Sequence, residues 1–108
     1  MSLLDKEPVK RAEKALKYFN PKMEVIILEE SARTALDASN LLKCEVGAIV
    51  KSLLFKVENN FIVCLVSGDK KCSLNKLKKI TNIKDISMAS PNEVKTQTGY
   101  TIGGVSPV

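Results

Sequence analysis

Apolar residues recur at helical spacing near the start of the chain. Val9, Ala12, Leu16 and Phe19 fall on one stripe of a helix predicted over Glu7 to Phe19, with Lys10, Arg11, Lys14 and Lys17 on the wet side. Asn20-Pro21 ends it, because the residue before a proline is pushed out of the helical region. MEVIIL, residues 23–28, then predicts a strand. Thr34 with Asp37 three residues on forms a capping box, opening a helix that carries Leu36, Ala38, Leu41 and Leu42.

The clearest pattern is a hairpin, IVKSLLFKV-ENN-FIVCLVSG. Placing Asn59-Asn60 in a two-residue turn pairs Glu58 with Phe61, Phe55 with Cys64, Leu53 with Val66 and Lys51 with Gly68. Further on, Ser73 caps a short helix whose Leu74, Leu77 and Ile80 face inward while Lys76, Lys78 and Lys79 face outward. Ser90-Pro91-Asn92-Glu93 starts another helix with a cap, a proline at the first position and a glutamate at the third, and Gly99 stops it.

One position breaks the pattern. Side chains alternate across a strand, so Ile49, Lys51, Leu53, Phe55 and Val57 share a face, and Lys51 stands on the greasier side of the hairpin. Burying an unpaired ammonium costs several kcal/mol. Three readings stay open from the pattern. Lys51 snorkels out of the sheet end, pairs with Asp69, or lines a cleft and meets a polar or charged substrate.

At 108 residues the chain has room for a single domain with one core, and 44% hydrophobic with 27% charged residues is globular composition. No apolar run reaches the ~20 residues of a bilayer span. The opening MSLLDKEPVK lacks the layout of a secretory signal, so a cytoplasmic location is expected. The absence of histidine excludes a Ser-His-Asp triad, a Cys–His nucleophile pair and a Cys/His zinc site. Cys44, Cys64 and Cys72 form no C-x-x-C pair and read as reduced thiols, Cys64 within FIVCLV as a small core residue.

Charge changes the picture by its location. Residues 68–84 carry six lysines (70, 71, 76, 78, 79 and 84) against Asp69, which accounts for the whole net charge of +5. Such a patch is either a phosphate-contacting surface or a solvated helix face. Gly99 to Pro107, GYTIGGVSP, holds three of the five glycines. It is either a loop whose backbone N–H groups meet a carbonyl or oxyanion, or a tight turn.

From about Ser31 to Pro107 these stretches together resemble the YbaK/ProX family of aminoacyl-tRNA editing domains, which includes the editing insertion of bacterial prolyl-tRNA synthetases. The resemblance rests on SARTALDASNLLKCEVGAIVKSLLF, LVSGDKKCSLNKL and above all TGYTIGGVSP. It implies an α/β fold of the α+β type, a mixed, barrel-like sheet with helices around it, as a single editing domain over residues 1–108. It implies hydrolysis of the ester joining a wrong amino acid to transfer RNA, tRNA-Pro in the first instance. No metal or other cofactor is implied.

The family's characteristic catalytic lysine falls on Lys51. By the same resemblance Gly103, Gly104, Val105 and Ser106 supply backbone contacts around the scissile carbonyl. Thr34 and the turn Ser67-Gly68-Asp69 edge the amino-acid pocket, and Lys70, Lys71, Lys76, Lys78 and Lys79 meet phosphates. The implied partners are aminoacyl-tRNA and a prolyl-tRNA synthetase, with no membrane. Family chains continue past SP with further strand and helix, whereas this one ends at Val108, so a domain short of its C-terminal part is expected. The alternatives to a hydrolase are a non-catalytic module that binds transfer RNA or a synthetase, and a plain protein-interaction domain.

Overall fold

The computed structural model describes residues 5–28 and 30–108; residues 1–4 and Glu29 lie outside the description. The chain divides into two compact units, residues 1–31 with Val108, and residues 32–107. The first unit holds helix α1 (Glu7–Phe19), with the predicted bounds. None of its residues is buried, and Phe19 on the apolar stripe is 73% exposed. Residues 23–28 do not form the expected strand. They join no ladder among the described residues, and Ile26 is 70% exposed. An apolar run becomes a strand only when a neighbouring edge accepts its backbone.

The second unit runs α2 (Ala35–Leu42), a 3-10 turn (Val46–Ala48), β1 (Val50–Val57), β2 (Asn60–Ser67), α3 (Leu74–Thr81), β3 (Ile86–Met88) and α4 (Pro91–Thr98). This is the expected α+β class. Over the described residues the sheet has three strands in the order β2-β1-β3, antiparallel throughout and open.

The hairpin forms, in a different register from the expected one. The turn is Glu58-Asn59, so Phe55 pairs with Ile62, Leu53 with Cys64 and Lys51 with Val66. The third strand explains the change. Glu58 donates its N–H to the Asp85 carbonyl at 2.9 Å, which removes it from the ladder with β2 and holds it at φ 55°. The partner of every residue shifts by two, so no side chain changes face. Gly68 therefore does not lie opposite Lys51; its N–H donates to the Ile49 carbonyl at 2.6 Å.

Each sheet face carries its own core. On one, Leu54 packs with Ala89 and Val94, joined by Phe61 and Val105. On the other, Phe55, Val57 and Ile86 are covered by Leu74, Leu77, Ile83, Cys64 and Cys72. Helix α3 thus lies over the second face. Ile80 does not point inward as expected and is 80% exposed. The helix ends at Asn82, whose left-handed φ of 58° turns the chain so that Ile83 packs into the core instead.

The caps follow local chemistry. Ser73 Oγ accepts from Lys76 N–H, and Thr34 Oγ1 accepts from Asp37 N–H. Ser90 and Glu93 form the full reciprocal capping box, with Gly99 ending α4 at φ 76°. Lys56 Nζ reaches Glu93 Oε2 at 3.4 Å and ties β1 to α4.

Candidate functional site

Strand β3 covers β1 only at Phe55–Val57, and the Leu54 carbonyl then accepts the Ala89 N–H. Among the described residues the β3 side of β1 is unpaired before that point, and residues 49–54 line a cavity of about 680 Å³. Its walls are largely apolar. They include Ala35, Leu36 and Ala38 of α2, Val46 and Ile49, Leu54, Met88, Ala89 and Val94, with Ile102 and Val105 from the C-terminal stretch. The polar side chains among them are Arg33, Thr34, Lys51 and Ser52, and among the described residues no carboxylate lines the cavity. The lining is therefore cationic or neutral, which favours an anionic or ester group over a free cation.

Helix α2 enters the cavity by its N-terminus. Thr34 caps it by accepting the Asp37 N–H at 3.1 Å, and the amides of Ala35 and Leu36 take no partner among the described residues. The positive end of the helix dipole and Arg33 beside it thus face the same space as Lys51.

Lys51 is half-buried, and its Nζ donates to the Lys70 carbonyl at 2.7 Å. It makes no ion pair within 4.0 Å with Asp69 among the described residues. A neutral carbonyl at the sheet end thus receives the charge, and an ammonium has three donors, so two remain for other groups. The Asp69 carboxylate is held below the usual range first by the Ser67 hydroxyl and then by the Lys70 charge, with Lys51 adding a smaller pull. The Ser67 hydroxyl lies 2.6 Å from the Gly47 carbonyl and 2.7 Å from Asp69 Oδ1, its single proton shared between them.

Thr34, Lys51, Gly68, Gly103 and Val105 of the expected site residues meet at the cavity. Ser67, Asp69, Gly104 and Ser106 do not line it. The Gly104 N–H is taken by the Thr101 carbonyl at 2.9 Å, which makes that stretch a turn at Gly104, while Gly103 holds φ 82°. Lys76, Lys78 and Lys79 sit on α3 over the Phe55 face of the sheet, Lys76 and Lys79 exposed and Lys78 half-buried; none of the five patch lysines lines the cavity. Lys70 nonetheless joins patch and site, since its carbonyl holds Lys51. Sequence reasoning did not single out Arg33, Ser52 or Met88. Arg33 carried a usable signal, a cation immediately before the helix cap at Thr34.

The cavity of this α+β unit thus joins a helix N-terminus, a strand lysine and a glycine turn. Residues 29–108 match the family model of the aminoacyl-tRNA editing domain, and the chain belongs to that family. The proline–tRNA ligase of Kosmotoga olearia is 32% identical over 108 residues, 100% of this chain and 17% of that protein. The uncharacterized protein YwhH of Bacillus subtilis is 36% identical over 90 residues, 82% of this chain and 57% of its own length. The crystal structure of a candidate trans-editing enzyme for prolyl tRNA synthetase superposes with a TM-score of 0.88 at 36% identity, covering 95% of this chain and 66% of that one. The chain therefore spans 14% to 17% of the length of the first ligases it matches.

Proposed function

We propose that residues 32–107 form an editing unit that hydrolyses the ester linking a mischarged amino acid to transfer RNA, tRNA-Pro above all, alongside a prolyl-tRNA synthetase. The observation that carries this reading is Lys51, a half-buried ammonium on the wall of an apolar cavity in a chain of the editing family. Water attacks the ester carbonyl, the carbonyl oxygen takes up negative charge, and the ribose oxygen leaves with a proton. No histidine exists to act as base, and among the described residues Thr34 and Ser52 have no carboxylate beside them in the lining. The chain's contribution is then electrostatic and positional.

In this reading the two remaining N–H donors of Lys51 bind the developing oxyanion or the ribose. The Gly103 and Val105 backbone borders the carbonyl, and Thr34 with the α2 alanines receives the amino-acid side chain. Arg33, which makes no hydrogen bond or ion pair to another described residue, meets the terminal phosphodiester together with the α2 amides. The patch of Lys70, Lys71, Lys76, Lys78 and Lys79 runs from the Lys51 anchor onto α3 and contacts phosphates further along the RNA.

The test incubates the purified chain with alanyl- and cysteinyl-tRNA-Pro and follows ester loss, with Lys51→Ala and Lys51→Met beside the wild type. The expected result is hydrolysis that falls by on the order of 10²-fold or more in both variants, the scale of losing one oxyanion donor. Wild-type rates in either variant would make Lys51 a structural residue. Binding of the RNA without ester loss by the wild-type chain would replace the hydrolase with a non-catalytic binding module.

A further inference from the structure

Two thiols eight residues apart meet on the sheet face that carries Phe55. Cys64 stands on β2 on the same sheet face as Lys51, and Cys72 lies in the irregular stretch between β2 and α3. Cys72 Sγ donates to Cys64 Sγ at 3.5 Å, and both residues are half-buried against the Phe55 core. A disulfide needs the sulfurs at about 2.05 Å, so closure would require an approach of roughly 1.5 Å by side-chain rotation and a shift of the 70–72 segment. Cys44, by contrast, is exposed.

We propose that Cys64 and Cys72 are a reversible dithiol–disulfide site, oxidised by hydrogen peroxide, whose closure tethers the segment that holds Lys51. One sulfur, as thiolate, attacks a peroxide oxygen to give a sulfenic acid, and the leaving hydroxide takes a proton to become water. The second sulfur then displaces the sulfenic oxygen, which leaves as a second water. Two thiols and one peroxide thus give one disulfide and two waters, the sulfurs losing the two electrons that the peroxide gains.

The link to Lys51 is short in sequence and in space. Its ammonium rests on the Lys70 carbonyl, two residues before Cys72. At rest burial pushes the Cys72 thiol up, the neighbouring Cys64 adds to this, and the Lys51 charge opposes it. Raised in this way, the Cys72 thiol reacts more slowly than a low-pKa thiol. Bonding Cys72 to β2 would pin the 70–72 segment against the sheet and slow the exchange of Lys51 away from its carbonyl.

The experiment treats the folded full chain at µM concentration with excess hydrogen peroxide, quenches with an alkylating agent and maps linkages by non-reducing peptide mass spectrometry. The expected product joins Cys64 to Cys72 and is reversed by dithiothreitol. It exceeds any product containing Cys44 by on the order of 10²-fold, because a native neighbour acts at about mM effective concentration. Cys44→Ser retains the linkage, Cys64→Ser and Cys72→Ser lose it, and the oxidised wild type melts several degrees higher than the reduced one. Acylation of Lys51 by an amine-reactive ester, followed on the same peptides, slows after oxidation. Oxidation at Cys44 with Cys64 and Cys72 still alkylatable would overturn the site. An unchanged Lys51 acylation rate in the linked protein would overturn the coupling.

Discussion

Gly68 offers the sharpest test of how the cavity is built. It follows β2, and its N–H donates to the Ile49 carbonyl at 2.6 Å. A Cβ added there would fall on the Val46 carbonyl oxygen, well inside van der Waals distance, and 2.9 Å from Ala35 Cβ and 3.2 Å from Ile49 Cβ. Two of these neighbours belong to α2 and the 3-10 turn, and the first is backbone, so no side chain can rotate away. Relief requires the β2 end to retreat from both elements. Overpacking of this kind costs about 1–3 kcal/mol, and the strained Gly68–Ile49 hydrogen bond adds about 1 kcal/mol. Gly68→Ala is therefore expected to lose ~3 kcal/mol, which lowers Tm by about 12–24 °C for a domain of this size.

Thermal unfolding followed by far-UV circular dichroism measures the loss, with Gly47→Ala as the control. In the control the new Cβ meets only the carboxylate end of Asp69 at 3.0 Å, an exposed side chain that can swing aside. That variant should stay within about 0.5 kcal/mol of wild type. Because Val46, Ile49, Ala35 and Gly68 all line the cavity, Gly68→Ala should also weaken substrate binding at temperatures where it is still folded. A Gly68→Ala melt within about 2 °C of wild type would refute the close approach of β2 to the 3-10 turn. Equal losses in both variants would show that the collision is not the cause.

Other outcomes follow from the same geometry. Gly103 sits at φ 82° with open space around it, so Gly103→Ala should cost about 1 kcal/mol through backbone strain alone, whereas Gly104, in ordinary contact with Thr101, should accept alanine with little loss of Tm. Equal melting of the two variants would contradict the turn. The Glu93 carboxyl is held below the usual glutamate range, mainly by the Ser90 backbone N–H, with the Ser90 hydroxyl and Lys56 also lowering it. A lowered folded value stabilises the protein above the unfolded value and is lost as pH falls through the folded one. Glu93→Gln should thus be less stable at neutral pH and converge on wild type as pH drops below about 4; a constant gap down to low pH would reject the assignment. Neutralising Lys76, Lys78 and Lys79 together should reduce the salt dependence of RNA binding by roughly one unit of slope for each phosphate left without its lysine, while an unchanged slope would leave that face merely solvated.

Local chemistry made part of this molecule legible in the sequence. The bounds of α1, the Ser90–Glu93 capping box, the Gly99 stop and the two faces of the hairpin each depend on residues within a few positions of one another. Their hydrogen bonds and their side-chain alternation are settled before the chain folds back on itself. The editing family was legible in the same way, through short motifs such as TGYTIGGVSP.

The tertiary structure decided the rest, because those features depend on partners that arrive from far along the chain. Asp85 captured the Glu58 amide and moved the hairpin turn, and Asn82 exchanged Ile83 for Ile80 in the core. Residues 23–28 had the composition of a strand and no described edge to join. Lys51 could be identified by its misplaced charge, yet its partner is a backbone carbonyl, and every residue offers one of those. Arg33 came to the cavity, and Cys72 came to Cys64, only when α2, β2 and the segment before α3 took their places around the sheet. Alternation along a strand states which side a residue takes; what waits there is set by packing across the whole unit.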